Sequence, residues 1–164
     1  MKTHFKAASL LLCASFGAQA QEATFTSQSL TPETALSAAQ AALAQCRKNG
    51  YQVAVAVVDK SGLTQVLLRD RYAGAHTVEV SANKAWTAVS FKTSTLTLAE
   101  ETQPGKPMSG IRSLPRFIGA GGGRVIEGAG ALLGGIGVSG APGGEADDDC
   151  AKAGIQAIAD ALEF

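Results

Sequence analysis

Apolar residues recur along this chain first at helical and then at strand spacing. Thr31, Pro32 and Glu33 have the features of a helix start: an N-cap hydroxyl, a first-turn proline and an acid near the positive end of the helix dipole. The alanine-rich run that follows predicts a helix to Lys48, which Asn49-Gly50 ends. Its predicted buried stripe consists of Ala35, Ala39, Ala42, Leu43 and Cys46.

The rest of the pattern divides into shorter elements. Strands are predicted at Tyr51–Val58 and Leu63–Leu68, joined by a tight turn, and again at Arg124–Glu127 and Ala131–Ser139. Helices are predicted at Thr77–Phe91, from Ser94 to about Glu101, and from near Glu145 onward with Ala151, Ile155, Ile158 and Leu162 as the apolar face. The second helix has the predicted stripe Val78, Ala82, Ala85, Trp86 and Val89. The order α, β, β, α, α, β, β, α predicts an α+β domain in which helices pack on an antiparallel sheet.

Glycine is concentrated in one part of the chain, since 12 of the 19 glycines lie between Gly119 and Gly144. Apolar residues interleave with them, which indicates close-packed strands and tight turns rather than a flexible linker. Gly135–Gly140 matches G-x-G-x-x-G, but it lies inside a predicted strand and does not open onto a helix, so a dinucleotide site is excluded. Ser139 lacks the G-x-S-x-G context of a nucleophile, and no catalytic motif is found.

The first 20 residues have the form of a signal peptide. Lys2 and Lys6 precede an apolar run, and Ala18-Gln19-Ala20 has the small-x-small pattern of a cleavage site. We therefore expect an exported protein, periplasmic or secreted, with a single domain over residues 21–164 and no membrane anchor. Its near-neutral charge argues against nucleic acid as a partner. Cys46 and Cys150 then remain, either as a disulfide or as two buried thiols.

His76 is the first candidate for binding a metal or cofactor, because imidazole is a common ligand of both. Arg71 and Tyr72 precede it, and cations beside an imidazole suit a carboxylate-bearing ligand. The alternative is that His76 is structural and Arg71 is a solvated strand end. Gln103–Pro115, with three prolines, is predicted to be a loop suited to ligand contacts. The acidic run Asp147–Asp149 lacks calcium-loop spacing and is predicted to be a solvated helix start.

Three blocks in order resemble the haem-degrading or haem-binding domain family, which includes secreted HbpS-type proteins and the glycolate-utilisation protein GlcG. They read AVAVVDKSGLTQVLLRD, AGAHTVEVSANKAWTA and GGGRVIEGAGALLGGIGVSGAPGGEADDDCAKAGI, within a match from Leu30 to Leu162. The resemblance implies a profilin-like, five-stranded antiparallel sheet and a homo-oligomer. The first and last helices pack side by side in such domains, which favours a Cys46–Cys150 disulfide. Two local departures, at Val125-Ile126 and Gly140-Ala141, affect loops rather than the fold.

The resemblance implies haem as cofactor, with His76 the first candidate axial ligand and Tyr72 the second. In that interpretation Arg71 and the loop residues Lys106, Met108 and Arg112 supply an alternative ligand or contact the propionates. Haem degradation has no motif to support it, so binding is expected rather than catalysis. The alternatives are an enzyme or accessory subunit for a small hydroxy-carboxylate such as glycolate, a corrinoid-binding or other small-ligand domain, and an interaction protein acting through its oligomer surface.

Overall fold

The computed structural model describes residues 23–163, so the predicted signal peptide lies outside the described residues. Helix α1 spans Pro32–Lys48, strands β1 and β2 span Ala54–Asp59 and Thr64–Arg69, and helices α2 and α3 span Thr77–Phe91 and Thr95–Glu101. Strands β3 and β4 span Gly123–Gly128 and Ala131–Ser139, and helix α4 spans Gly144–Gln156. Short 3-10 turns cover Ser109–Ser113 and Ala159–Leu162. Within residues 23–163, no helix is both long and apolar enough to cross a membrane.

The predicted helix starts are confirmed by their capping hydrogen bonds. The Thr31 hydroxyl accepts a hydrogen bond from the Thr34 N–H at 3.2 Å, and the Ser94 hydroxyl accepts one from the Thr97 N–H at 3.1 Å. Each bond satisfies one of the amide groups that a helix leaves unpaired in its first turn. The last predicted helix ends earlier than its apolar pattern suggested. After Gln156 the chain forms a turn and then the 3-10 segment Ala159–Leu162.

The strands form one antiparallel sheet in the order β2-β1-β4-β3. The α+β class is therefore confirmed, but the prediction of five strands is wrong: residues 23–163 contain four. The long connection from α3 to β3 cannot supply a fifth strand, because Gln103–Pro115 contains three prolines that have no N–H for a ladder. It forms turns and the 3-10 segment instead.

The sheet is covered on both faces. Helices α1 and α4 pack on one face around a core that includes Val55, Val57, Ile136 and Val138, and the predicted α1 stripe is buried there as expected. Helix α2 covers the other face. The chain is thus a three-layer domain in which α2 stands alone opposite the two terminal helices.

Glycine in β4 explains how closely α2 approaches the sheet. A Cβ atom at Gly137 would collide with the Ser81 carbonyl, and one at Gly135 would lie 2.7 Å from Val89. Successive strand residues point to opposite faces, so β4 presents glycine to α2 and the larger Ile136 and Val138 to the other layer. The glycine-rich segment is therefore a packing feature, as its apolar residues indicated.

The buried face of α2 differs from the predicted stripe. Ala85 and Val89 are buried as expected, whereas Val78, Ala82 and Trp86 are only partly buried. Most buried side chains of α2 are small or polar: Thr77, Ser81, Lys84, Thr87 and Ala88 join Ala85 and Val89. Hydrophobicity alone selected the wrong positions, because close approach to the β4 glycines favours small side chains and Lys84 is buried through its ion pair with Asp147.

The Cys46–Cys150 disulfide is present. It joins the last turn of α1 to the first half of α4, with the two Cα atoms 5.5 Å apart and both residues fully buried. The two helices pack through small residues: a Cβ at Gly154 would lie 2.7 Å from the Ala38 carbonyl oxygen. Close helix packing and the covalent bond therefore hold the same two elements together.

The His76 cleft

A cleft of about 520 Å³ opens where the N-termini of α2 and α4 converge on the ends of β1 and β4. We call it the His76 cleft. It brings together two predicted ligand residues, His76 and Tyr72. Its lining consists of Gly50–Gln52, Tyr72, Gly74, His76, Thr77, Ser139–Gly144 and Asp147.

His76 lies at the N-cap position of α2 with its side chain exposed, and the imidazole makes no capping hydrogen bond. The ring rests against Gly74, where an added Cβ would lie only 2.8 Å from the imidazole Cε1. The Thr77 hydroxyl donates to the Gly74 carbonyl at 2.6 Å and fixes this turn. The turn before α2 is therefore fixed, and no residue in 23–163 hydrogen-bonds to the imidazole nitrogens, which remain available to a ligand.

The segment that carries Tyr72 and His76 is anchored to the core by Asp70. This carboxylate is buried and accepts two hydrogen bonds from the Arg47 guanidinium, at 2.7 and 2.9 Å. It also accepts the Arg71 N–H at 2.9 Å. Arg69 donates to the Ala73 carbonyl from both its Nε and its Nη2. No spacing in the sequence indicates this anchor, which joins the cleft to the end of α1.

The Arg47 hydrogen bonds hold the pKa of Asp70 at about 2, below its ordinary value of 3.8. A folded-state pKa below the unfolded value stabilises the fold above about pH 4, and this contribution disappears as the pH falls through about 2. Because Arg47 is half exposed, we expect a contribution of only about 1–2 kcal/mol. Urea unfolding should show Asp70→Asn less stable than the wild type at about pH 6, with the gap narrowing towards about pH 2.

The control for that measurement is Asp160→Asn, at an exposed aspartate in the C-terminal 3-10 turn. Its small effect on unfolding should be the same at both pH values. An Asp70→Asn deficit that does not change with pH contradicts the assigned linkage.

A buried ion pair lies beneath the cleft. The Lys84 ammonium of α2 is 2.8 Å from the Asp147 carboxylate of α4 and donates to the Val138 carbonyl of β4 at 3.0 Å. The second Asp147 oxygen accepts the Ala141 N–H at 2.9 Å. Burial raises the pKa of Asp147, against the opposing effect of Lys84. This pair ties α2, β4 and α4 together at the place where they line the cleft.

The prediction that Asp147–Asp149 is a solvated run is therefore wrong for two of its three members. Asp147 is bound to Lys84, and Asp148 is 1% exposed and lies within 3.2 Å of Arg124 and Lys152. Only Asp149 is exposed. Helical geometry points the first two carboxylates inward, where Lys84 of α2 meets Asp147, and Arg124 of β3 and Lys152 of α4 itself meet Asp148.

A family model described as "Haem degrading protein HbpS-like" matches residues 30–156. The chain belongs to this HbpS-like family. A crystal structure of HbpS is 38% identical, with a TM-score of 0.77 and coverage of 84% of this chain and 96% of that one. A crystal structure of a PduOC–haem complex is 33% identical, with a TM-score of 0.75 and coverage of 79% and 95%.

Among curated proteins, the corrinoid adenosyltransferase PduO of Citrobacter freundii is 36% identical to this HbpS-like chain over 121 residues. That alignment includes 73% of this chain but only 36% of PduO. The chain thus spans about a third of the length of this relative, and the similarity concerns that part of PduO alone.

Four of the predicted site residues lie outside the cleft of this HbpS-like domain. Arg71, Lys106, Met108 and Arg112 are absent from its lining. Arg112 donates to the Thr102 and Ala99 carbonyls at 2.7 and 3.1 Å and so satisfies the end of α3. Lys106 is 3.9 Å from Glu101. The proline-rich loop therefore supports α3 rather than the His76 cleft.

A larger depression of about 740 Å³ lies beside β3 and α4, lined in part by Lys92, Arg124 and Lys152. Two of these cations already bind the buried Asp148 carboxylate. Because no histidine or tyrosine lines it, this depression offers no imidazole or phenolate ligand. We therefore place the candidate site in the His76 cleft.

Proposed function

We propose that this protein binds haem in the His76 cleft, with the His76 imidazole as axial ligand and Tyr72 as the second candidate. The observation that carries the proposal is the placement of an exposed imidazole, with no capping hydrogen bond, beside an exposed tyrosine in one cleft. Membership of the HbpS-like family and the similarity to the PduOC–haem complex support it.

The side chains present fit such a ligand. Imidazole and phenolate are both established haem-iron ligands, and each has a free approach from the cleft. Bound haem would supply an iron centre able to bind a further ligand or change its redox state. The chain's own residues position the two candidate ligands: the absence of a side chain at Gly74 leaves room for the imidazole, and Gln52 accepts the Tyr72 backbone N–H at 3.4 Å. Because no group in the cleft has an evident catalytic role, we propose binding rather than haem degradation.

Haemin titration tests the ligand assignment. We expect the purified protein to shift the Soret band on binding, and His76→Ala to lose the wild-type spectrum and bind at least about tenfold more weakly, because axial coordination is lost. Gln40→Ala is the control, since Gln40 is exposed on α1 and does not line the cleft. It should titrate as the wild type does.

Each other outcome of that titration has a definite meaning. An unchanged His76→Ala spectrum rejects His76 and transfers the test to Tyr72→Phe. Absence of any Soret shift in the wild type rejects haem binding itself.

The similarity to PduO supports a second candidate, a corrinoid or another small ligand bound without catalysis. A histidine that can reach haem iron can also reach a corrinoid cobalt. The same titration with cobalamin separates the two, because each tetrapyrrole has its own visible spectrum. A small hydroxy-carboxylate remains the third candidate.

Export and self-association complete the proposal. The disulfide supports an oxidising compartment, since such bonds persist mainly outside the reducing cytosol. Apolar side chains on and before the edge strand β2 support an oligomer: Leu63 is 66% exposed and Leu67 is 38% exposed. In a homo-oligomer these side chains would become buried between subunits.

A further inference from the structure

A nearly buried serine at the inner end of the His76 cleft has a hydroxyl without a hydrogen-bond partner among the described residues. Ser139 is only 5% exposed and lines the cleft, yet its side chain forms no hydrogen bond with residues 23–163. It ends β4 on the same face as Gly135 and Gly137, which is the face towards α2. Its oxygen is not fully enclosed, because Gln65 Oε1 alone is both enclosed and without a partner in residues 23–163. The Ser139 hydroxyl is therefore open to the cleft that it lines and free to donate to a ligand there.

Two helix N-termini meet at the same place. Helix α4 begins after Gly143 and helix α2 after His76, and neither helix has a side-chain cap. Both are several turns long, with 13 and 15 residues. Each therefore presents first-turn N–H groups without a capping side chain, at the positive end of its dipole.

The Asp147 carboxylate does not repel a ligand carboxylate bound in the cleft. Asp147 lines the cleft, but one of its oxygens lies 2.8 Å from the Lys84 ammonium and the other accepts the Ala141 N–H. Its charge is thus balanced within the protein. The acids in the first turns of the two helices, Glu79 and Glu145, are exposed and do not line the cleft.

We propose that Ser139 and the N-termini of α2 and α4 form a carboxylate subsite at the inner end of the His76 cleft. The hydroxyl donates to one carboxylate oxygen, and the helix dipoles stabilise the negative charge. The subsite rests partly on the proposed function, because a haem propionate is one source of the carboxylate that it would bind. A free hydroxy-carboxylate is the other. The subsite takes the role that sequence analysis gave to Arg71 and the proline-rich loop.

The experiment compares Ser139→Ala with the wild type, using haemin, haemin dimethyl ester and glycolate as probes. Ser139→Gly is a second variant that suits the glycine-lined face of β4. Ser113→Ala is the matched control, because that hydroxyl is exposed on the proline-rich loop and bonds to Gly110. Haemin affinity is read from the Soret band, and glycolate binding from the thermal midpoint.

If a propionate occupies the subsite, both Ser139 variants should bind haemin about tenfold more weakly, as expected for loss of one hydrogen bond to a charged group. The dimethyl ester should bind weakly to all forms, and Ser113→Ala should match the wild type. If a free acid occupies it, glycolate should raise the thermal midpoint of the wild type and of Ser113→Ala but not of the Ser139 variants.

The subsite is overturned if the Ser139 variants bind haemin and glycolate as the wild type does. It is also overturned if the ester binds as tightly as haemin while glycolate has no effect on any form. Failure of the proposed function is a separate result, namely a wild type that binds no haemin. In that case the glycolate measurement alone tests the subsite. If glycolate raises the thermal midpoint of the wild type but not of the Ser139 variants, the subsite is supported. If glycolate does not raise the midpoint of the wild type, the subsite is rejected.

Discussion

Lys84→Met is expected to destabilise the folded protein by about 3–5 kcal/mol, the usual cost of removing one partner from a buried ion pair. Lys84 is 3% exposed and Asp147 is 4% exposed, so water has little access to the carboxylate once the ammonium is lost. Methionine keeps most of the length of the lysine stem but leaves the Asp147 carboxylate without its counter-charge. The free energy of unfolding, from urea titration at pH 7, measures the effect.

The pH dependence of this variant tests the physical reason. Burial already raises the pKa of Asp147 in the wild type, although Lys84 lowers it. Without Lys84 the pKa should rise further, and the carboxyl would be protonated in the folded state at mildly acidic pH. A folded-state pKa above the unfolded value means that stability falls as the pH rises through that range. The deficit of Lys84→Met should therefore be smaller at about pH 5 than at about pH 8.

Two further variants separate the ion pair from general effects of the mutation. Lys106→Met removes a half-exposed lysine 3.9 Å from Glu101 and should change stability by no more than about 0.5 kcal/mol. The double variant Lys84→Met with Asp147→Leu should recover much of the loss, because it buries no unpaired charge. A single Lys84→Met variant as stable as the wild type contradicts the buried pair.

Local signals were enough to predict most of the fold. The capping residues Thr31 and Ser94 marked two helix starts to the residue, and the turn sequence Asp59–Gly62 defined the β1–β2 hairpin. These signals depend on neighbours a few positions apart, which a sequence displays directly. The fifth strand came from a family expectation that the proline-containing connection could not satisfy.

The candidate site was only partly predictable, because a sequence displays only the neighbours that are a few positions apart. His76 and Tyr72 are close in sequence, so the sequence alone indicated that they lie near each other, and both line the cleft. Lys84 and Asp147 are 63 residues apart and come together only when α2 and α4 pack around β4. A signal was present in α2, where Lys84 lies at helical spacing with Ser81 and Ala88 among small residues. Combined with the glycines of β4, this spacing indicates the face that lies against the sheet.

Replacing both Cys46 and Cys150 by alanine is expected to lower the free energy of unfolding by about 2–5 kcal/mol. The bond closes a loop between residues 104 positions apart, so its loss frees a large part of the unfolded chain. Alanine is the suitable replacement because both sites are fully buried, and a serine hydroxyl there would need a partner. Urea unfolding of the oxidised wild type and the double variant measures the difference.

Reduction provides the control that mutation alone cannot. With dithiothreitol the wild type should lose a similar amount of stability, whereas the double variant should not respond, because it has no bond between α1 and α4 to break. Peptide mapping without reductant should recover the Cys46 and Cys150 peptides as one linked species. Two separate thiol-containing peptides would falsify the bond. The linked helices cover one face of the sheet, and α4 also contributes Asp147 to the cleft. Reduction should therefore weaken haemin binding by the wild type. The haemin affinity of the double variant should be the same with and without reductant.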